Sequence, residues 1–186
     1  MNIKSQKKWE SYLKKNEIEW QQLYTIPYKV CRDTIIQSFQ YKIFHRFFPC
    51  NYTLSIWYKD QEKYCQICKE VDYPEHYFFC CKETTLFWKS IQTWLKSVLK
   101  VHLNLTVNEI MLGIPNPCDD EIIDIFNYCI LYGKWYIYSC KKDDTQMFIL
   151  NYIKYIKDKL QIEKTICEMK KEDIFEKRWS LFYNSM

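Results

Sequence analysis

Cys65-Gln66-Ile67-Cys68, followed by Glu75-His76-Tyr77-Phe78-Phe79-Cys80-Cys81, is the stretch on which the rest of this chain turns. Two cysteines separated by two residues form a compact knuckle whose thiolates can face one ion. A histidine and a further cysteine at short spacing complete a four-ligand Cys3His set, the soft and borderline S/N donor chemistry that tetrahedral zinc takes. The competing reading is a patch of packed thiols, since free cysteine is often a small buried hydrophobe. Four ligands at such short spacings rarely coincide, so the pattern favours zinc. The fourth ligand is open at this point. A continuous helix would put His76 and Cys80 on one face, whereas Cys81 needs the helix to start or stop between the two cysteines. With four protein ligands no position stays open for water, so this ion is expected to organise the fold and not to catalyse.

Around that stretch the composition is that of a helical protein. The chain has 186 residues, enough for one core or two small lobes without a disulfide staple. Only two glycines, Gly113 and Gly133, are present. So few argue against a phosphate-cradling loop and against a sheet-rich fold with many tight turns. Met1 to Lys8 lacks the apolar core of a signal peptide, and no run of about eighteen apolar residues exists to span a membrane. The ten cysteines are therefore expected to be reduced, in an intracellular setting that favours metal over disulfides. Cys31, Cys50, Cys118, Cys129, Cys140 and Cys167 read as ordinary core or surface thiols. A net charge of +4 permits an acidic partner such as nucleic acid without demanding one.

In chain order, residues 1–30 form lead-in helices in which Trp9, Tyr12, Leu13, Trp20, Leu23 and Tyr24 recur at helical spacing. Lys14, Lys15, Glu17 and Glu19 form no block of one sign, and Pro27 breaks the pattern. Residues 31–100 hold the zinc-binding part. A helix capped by Asp33 or Thr34 carries Ile35, Ile36, Phe39, Ile43 and Phe47 as its apolar stripe until Pro49. Lys42 and Arg46 lie one turn apart on its other side, and His45 reads as a neutral surface or half-buried residue and not as a ligand. Asn51 caps the short segment that leads to the knuckle. Lys82 to Lys100 is the most amphipathic helix. Phe87, Ile91, Trp94, Leu95 and Val98 form its stripe, widened by Leu86, Trp88 and Leu99. Lys82, Lys89 and Lys96 recur every seven residues on the far side, a row that drifts only about 20° per heptad and could track a phosphate backbone. The bland alternative for these cations is a solvated helix face.

Residues 101–118 read as a connector with a short helix over Val107–Leu112, stopped by Gly113 and punctuated by Pro115 and Pro117. Residues 119–186 form a C-terminal helical part. Its first helix, capped by Asp119 or Asp120, is apolar on nearly every side and belongs in the middle of a bundle, with Asp124, Asn127 and Lys134 interrupting any membrane-like run. A second helix turns Ile149, Ile153, Ile156 and Leu160 inward, and a mixed final segment runs from Lys170 to Phe182. The fold class is thus mainly α, a helical bundle with a small Cys3His zinc knuckle. Catalytic constellations are missing: carboxylates are scattered, Asp119-Asp120 reads as a cap, and no nucleophile elbow or glycine-rich loop exists. No enzyme activity and no small-molecule substrate are expected.

Phe39-Gln40-Tyr41-Lys42-Ile43-Phe44-His45-Arg46-Phe47-Phe48-Pro49-Cys50-Asn51, taken with Cys65, Cys68, His76, Cys81 and Phe87-Trp88, resembles the zinc-binding region that follows the reverse transcriptase of LINE-type, non-LTR retrotransposons. That family pairs an FQ-K-HR helix with a Cys-x2-Cys-x7-His-x4-Cys knuckle and a following FW helix. The resemblance is specific over about residues 20–96 and vaguer over 105–165. It implies Cys81 as the fourth ligand through the x4 spacing. It also implies a zinc-dependent accessory module that binds element RNA or target DNA during target-primed reverse transcription, with Lys42, Arg46, Lys82, Lys89 and Lys96 as phosphate contacts. Lys69 departs from the family, which often has glycine there, and a less tight knuckle turn is expected. The polymerase and endonuclease do not lie in these 186 residues, so the reverse transcriptase portion of a parent polyprotein is an expected partner. A protein-docking helical scaffold, or a remnant without a role, is the alternative.

Overall fold

A computed structural model describes residues 4–14 and 18–186; Lys15 and Glu17, noted above for their charges, lie outside the described residues. The chain is mainly helical, and among the described residues its only β pairing is an isolated antiparallel bridge between Tyr64 and Val71. Among the described residues ten α-helices follow one another: α1 (Lys4–Leu13), α2 (Trp20–Val30), α3 (Thr34–Phe44), α4 (Asn51–Trp57), α5 (Lys82–Leu99), α6 (Val107–Leu112), α7 (Glu121–Lys142), α8 (Ile149–Lys170), α9 (Ile174–Arg178) and α10 (Ser180–Ser185). Between α4 and α5 sits the knuckle, which ends in a π-helical turn over His76–Cys80. One apolar core includes side chains from Trp9 in α1 to Phe182 in α10 and passes through Leu105, Ile110 and Met111 without a break.

Helix α7 is the axle. It packs against α2, α3, α6, α8 and α9, as its nearly all-round apolar sequence requires. The polar residues that interrupt it are buried and answered by other elements. Asp124 meets Lys29 at 3.2 Å and Arg178 at 3.3 Å. Asn127 accepts from the Ile114 amide and donates to its carbonyl, both at 2.8 Å. Lys134 donates to Met111 O at 3.2 Å and to the Gln40 side-chain oxygen. Buried polar groups are tolerated when they are paired, so each interruption fixes the register of a neighbour against α7. No helix among the described residues is long and apolar enough to cross a membrane.

Lys134 carries a measurable consequence. It is fully buried with no acid beside it, and burial holds its pKa well below the ordinary lysine value. The folded chain gives up that proton at lower pH than the unfolded chain, which holds it up to about pH 10.4. The unfolded state therefore binds more protons between the depressed folded pKa and that value, and stability rises with pH across this window. In Lys134→Met this contribution disappears, so urea midpoints at neutral pH and near pH ~10 should lie closer together than in the wild type. An equal pH dependence in both proteins would mean that Lys134 stays charged in the fold.

Several local expectations change. Pro27 does not end α2: it is buried inside it with Leu23, Ile26 and Val30, and one missing helix hydrogen bond near the C-terminal end is offset by that apolar face. Helix α3 stops at Phe44 because Arg46 adopts a left-handed φ of 57°. Phe47 thereby leaves the stripe and is exposed, as is Ile35. Leu86 is likewise exposed on α5. Asn51 is the first residue of α4 and not its cap, because its side chain donates to Tyr64 O at 2.9 Å, across to the knuckle. Asp120 caps α7 by accepting from the Ile122 amide, while Asp119 turns left-handed and pairs with Lys29 at 2.6 Å. Helix α8 begins only at Ile149, so Tyr152, Ile156 and Leu160 form its inner face, Ile153 being half-buried.

Candidate metal centre

The knuckle is built from backbone geometry first. Tyr64 and Val71 bridge, the Cys65 amide donates to Glu70 O at 2.8 Å, and the Lys69 amide donates to Cys65 O at 3.0 Å. This closes a tight loop that brings Cys65 and Cys68 to the same side. Lys69 sits at φ 61°, the left-handed conformation that favours glycine, so the turn is not loosened by its lysine. Its strain is of the order of 1–2 kcal/mol, set against the bonds that the loop makes.

The second pair of ligands comes from the π-turn. Its closing bond runs from the Cys81 amide to His76 O, 3.0 Å, five residues back instead of four. That one-residue widening places Cys81 where an α-helix would have put Cys80. Cys81 is fully buried and Cys80 is exposed. Cys81 then leaves the turn in an extended conformation and acts as the N-cap of α5, accepting from the Thr85 amide at 2.8 Å and the Thr84 hydroxyl at 2.9 Å. A π-turn inside helical sequence often marks a functional position.

The donor atoms of Cys65, Cys68, His76 and Cys81 all lie within 4.8 Å of one another, and three of the four residues are buried. Cys65 Sγ and Cys81 Sγ are 3.9 Å apart. Two thiolates on one tetrahedral zinc at ~2.3 Å each would stand about 3.8 Å apart. Cys68 Sγ and His76 Nε2 are 3.0 Å apart, a hydrogen-bond distance that would open to about 3.6 Å around an ion. The donor set therefore fits a closed, four-ligand metal site. At Cys65 burial opposes ionisation, but the amides of Cys68 and Ile67 and the thiols of Cys68 and Cys81 outweigh it and hold the pKa below the ordinary thiol value. Burial pushes Cys81 up to about 11 and His76 below its usual value, which keeps the imidazole in the neutral form that ligates.

Residues outside the quartet hold this candidate centre in the fold. Arg46 meets the buried Glu75 carboxylate at 2.5 Å and lies 4.5 Å over the Trp9 ring, tying α3 and α1 to the residue before His76. Lys141 of α7 donates to Tyr77 O at 2.8 Å and stands over the Tyr77 ring. It brings a cation beside a ligand set whose three thiolates would leave a zinc complex with net negative charge. Asp72, buried between Cys68 and His76 in sequence, accepts from the Asn51 amide at 3.2 Å. Phe78 packs on Phe48 at 4.6 Å and on Phe39 at 5.8 Å, and its carbonyl accepts from the Trp88 indole at 2.6 Å. Glu75 lay in plain view beside His76; Lys141 had no local signal, because it arrives from sixty-five residues further along the chain than His76.

The basic residues fare differently from one another. Lys82, Lys89 and Lys96 are exposed along α5, starting one residue after Cys81, and Lys42 is exposed on α3. Arg46 is half-buried and spent on Glu75 and Trp9, so its charge is already met inside the fold. The lone cysteines form no disulfide: all ten thiols are free, and of the six set aside only Cys118 is exposed.

No protein-family model matches this chain, and no curated protein matches it. Its function has to be argued from the site.

Proposed function

We propose that this chain is a zinc-stabilised accessory module that binds nucleic acid, in the manner of the region C-terminal to a LINE-type retrotransposon reverse transcriptase. The observation that carries the first half is the Cys3His quartet, three of its four residues buried, whose donors lie within 4.8 Å of one another and supply the four ligands of a closed structural site. Three thiolates and one imidazole select zinc over the hard, oxygen-seeking cations. The second half is supported by the lysine row of α5, which makes no ion pair among the described residues and grows directly out of the last ligand. The ion fixes Cys81, Cys81 caps α5, and α5 presents Lys82, Lys89 and Lys96 to a phosphate backbone. Lys42 of α3 adds another exposed cation, while Arg46 acts as an internal tie. RNA and DNA share the phosphate chemistry.

The test is a titration of labelled hairpin RNA and duplex DNA with zinc-loaded protein across a salt series. Each lysine that contacts a phosphate of duplex DNA adds about 0.9 to the slope of log affinity against log salt. Lys89→Ala with Lys96→Ala should therefore flatten the slope by about 1.8 and weaken binding without regard to sequence. A steep slope left unchanged by both substitutions would remove these lysines from the interface. Absence of binding at low salt would remove the nucleic-acid reading.

A second reading has its own observation. Ile56, Trp57 and Tyr58, at the end of α4 beside the knuckle, are all exposed, and clustered large apolar groups mark protein contacts. That surface suits docking against a polymerase portion of a parent polyprotein. It predicts an association that Trp57→Ala weakens and that nucleic acid does not alter.

A further inference from the structure

We propose that the aromatic cleft between α2 and α3 receives an unpaired nucleobase of a single strand. The proposal rests on the nucleic-acid reading above and places a second contact on α2 and α3. Tyr24 and Tyr28 of α2 form one wall; Tyr41, Phe44 and His45 form the other, with Gln37 at the edge, enclosing about 360 Å³. Tyr28 and Tyr41 are 64% and 53% exposed, although each sits one residue from a half-buried or buried neighbour that serves the fold. The core does not need these two rings, and they flank the same opening.

The floor of the cleft is fixed in advance. Tyr41 and His45 rings stand 4.2 Å apart, and Tyr24 lies nearly parallel to His45 and edge-on to Phe44 at 5.1 Å. Helix α1 locks these rings from behind. Ser5 Oγ lies 3.3 Å from His45 Nδ1, Gln6 donates to the Tyr24 hydroxyl, and the Trp9 indole donates to Phe44 O at 3.0 Å. Gln37 donates its side-chain amide to Cys31 O at 2.7 Å, which holds a carboxamide at the rim for a base edge. A flat, polarisable guest is what such walls accept, because every base has a π-face and stacking tolerates sequence.

Charge selects among flat guests. No acid lines the cleft. Lys4, Lys7 and Lys8 are exposed on α1, the helix that holds its floor, and Lys42 is exposed beside Tyr41; none has an ion pair among the described residues. On the neighbouring segments Glu75 pairs with Arg46 and Asp33 with Lys159, while Glu10 accepts from the Trp20 indole. An alkylammonium guest would be repelled by those lysines, and a proline-rich peptide would leave them unused. A base with phosphates on either side uses both the rings and the cations.

The experiment follows a single-stranded oligonucleotide carrying one 2-aminopurine, and separately a duplex, on the zinc-loaded full chain. Quenching of 2-aminopurine by the wild type is expected. Tyr28→Ala or Tyr41→Ala should lose the quench and weaken single-strand binding about 5- to 150-fold, the range of one stacked base. Tyr41→Phe keeps the ring and should restore binding, and duplex affinity should hardly move because its bases are already stacked. Both tyrosines are exposed, so circular dichroism should show an unchanged fold. If the wild type binds single strand and duplex alike and both alanine variants match it, the cleft is overturned while the lysine reading survives. If the wild type binds no nucleic acid at all, both fall. Capture of a proline-rich peptide in the cleft, with single strands ignored, would also overturn the proposal.

Discussion

Replacing Cys65 or Cys81 with serine should release one zinc per chain and open the knuckle, while Cys80→Ser should do neither. The asymmetry follows from the π-turn, which buries Cys81 among the ligands and leaves the adjacent thiol in solvent. The magnitude follows from what else supports the segment. From Ile56 to Glu70 only Cys65 is buried and Cys68 is half-buried apart from exposed neighbours, so this stretch has no apolar core of its own. Structural zinc contributes about 10–16 kcal/mol of apparent binding energy in small domains, comparable with the whole stability of a typical domain at about 5–15 kcal/mol. Losing one ligand should therefore remove several kcal/mol locally, not globally. Hydrogen exchange is the fitting probe: amides of residues 58–75 should lose protection by at least about a hundredfold, roughly 3 kcal/mol. Amides in the middle of α7 should keep theirs. Helical content should fall only by α4 and the π-turn. Native mass spectrometry counts the ion. If wild-type protein carries none and Cys65→Ser costs only the ~1–3 kcal/mol of burying a hydroxyl, the quartet is a patch of packed thiols.

What could be read from the residues alone, and what could not, divides along local and long-range interactions. The quartet was legible because its four members fall within seventeen residues, and spacing is itself the signal. The choice between Cys80 and Cys81 was not, because helix periodicity points to Cys80. The one-residue insertion that makes a π-turn leaves no trace in hydrophobic patterning, and only the family resemblance pointed the other way. Helix α7 was legible as a central element from its all-round apolar surface. Its Asp124, Asn127 and Lys134 read only as interruptions, since their partners Arg178, Ile114 and Gln40 come from outside the helix, two of them from far away in sequence. Arg46 shows the same limit. Periodicity put it on the outer side of α3, but the helix ends two residues earlier, and the left-handed backbone turns its side chain inward to Glu75.

A further tie between the bundle and the candidate metal centre is one close approach of α5 to α7, and Gly133→Ala should break it. Trp88, in the first half of α5, is buried and donates to Phe78 O inside the π-turn. The outer edge of its ring meets α7 at Gly133, where an added Cβ would stand 2.6 Å from Trp88 Cη2 and 3.0 Å from Cζ3. The glycine has no unusual backbone angle, so its role is space: α7 and α5 can be this close only where one of them lacks a side chain. An alanine there must displace a ring that is pinned at its other end by the indole hydrogen bond. Overpacking of this kind costs about 1–3 kcal/mol, partly opposed by the ~0.5–1 kcal/mol that alanine gains over glycine in a helix. Because the ring reports to Phe78, the π-turn should loosen as well, and zinc should leave Gly133→Ala at a lower chelator concentration than it leaves wild type. Trp88→Phe removes the atoms that clash. The double variant should therefore be more stable than the two single losses predict, with a coupling of about 0.5–3 kcal/mol. Strict additivity in urea denaturation would show that the strain at Gly133 is relieved somewhere other than Trp88.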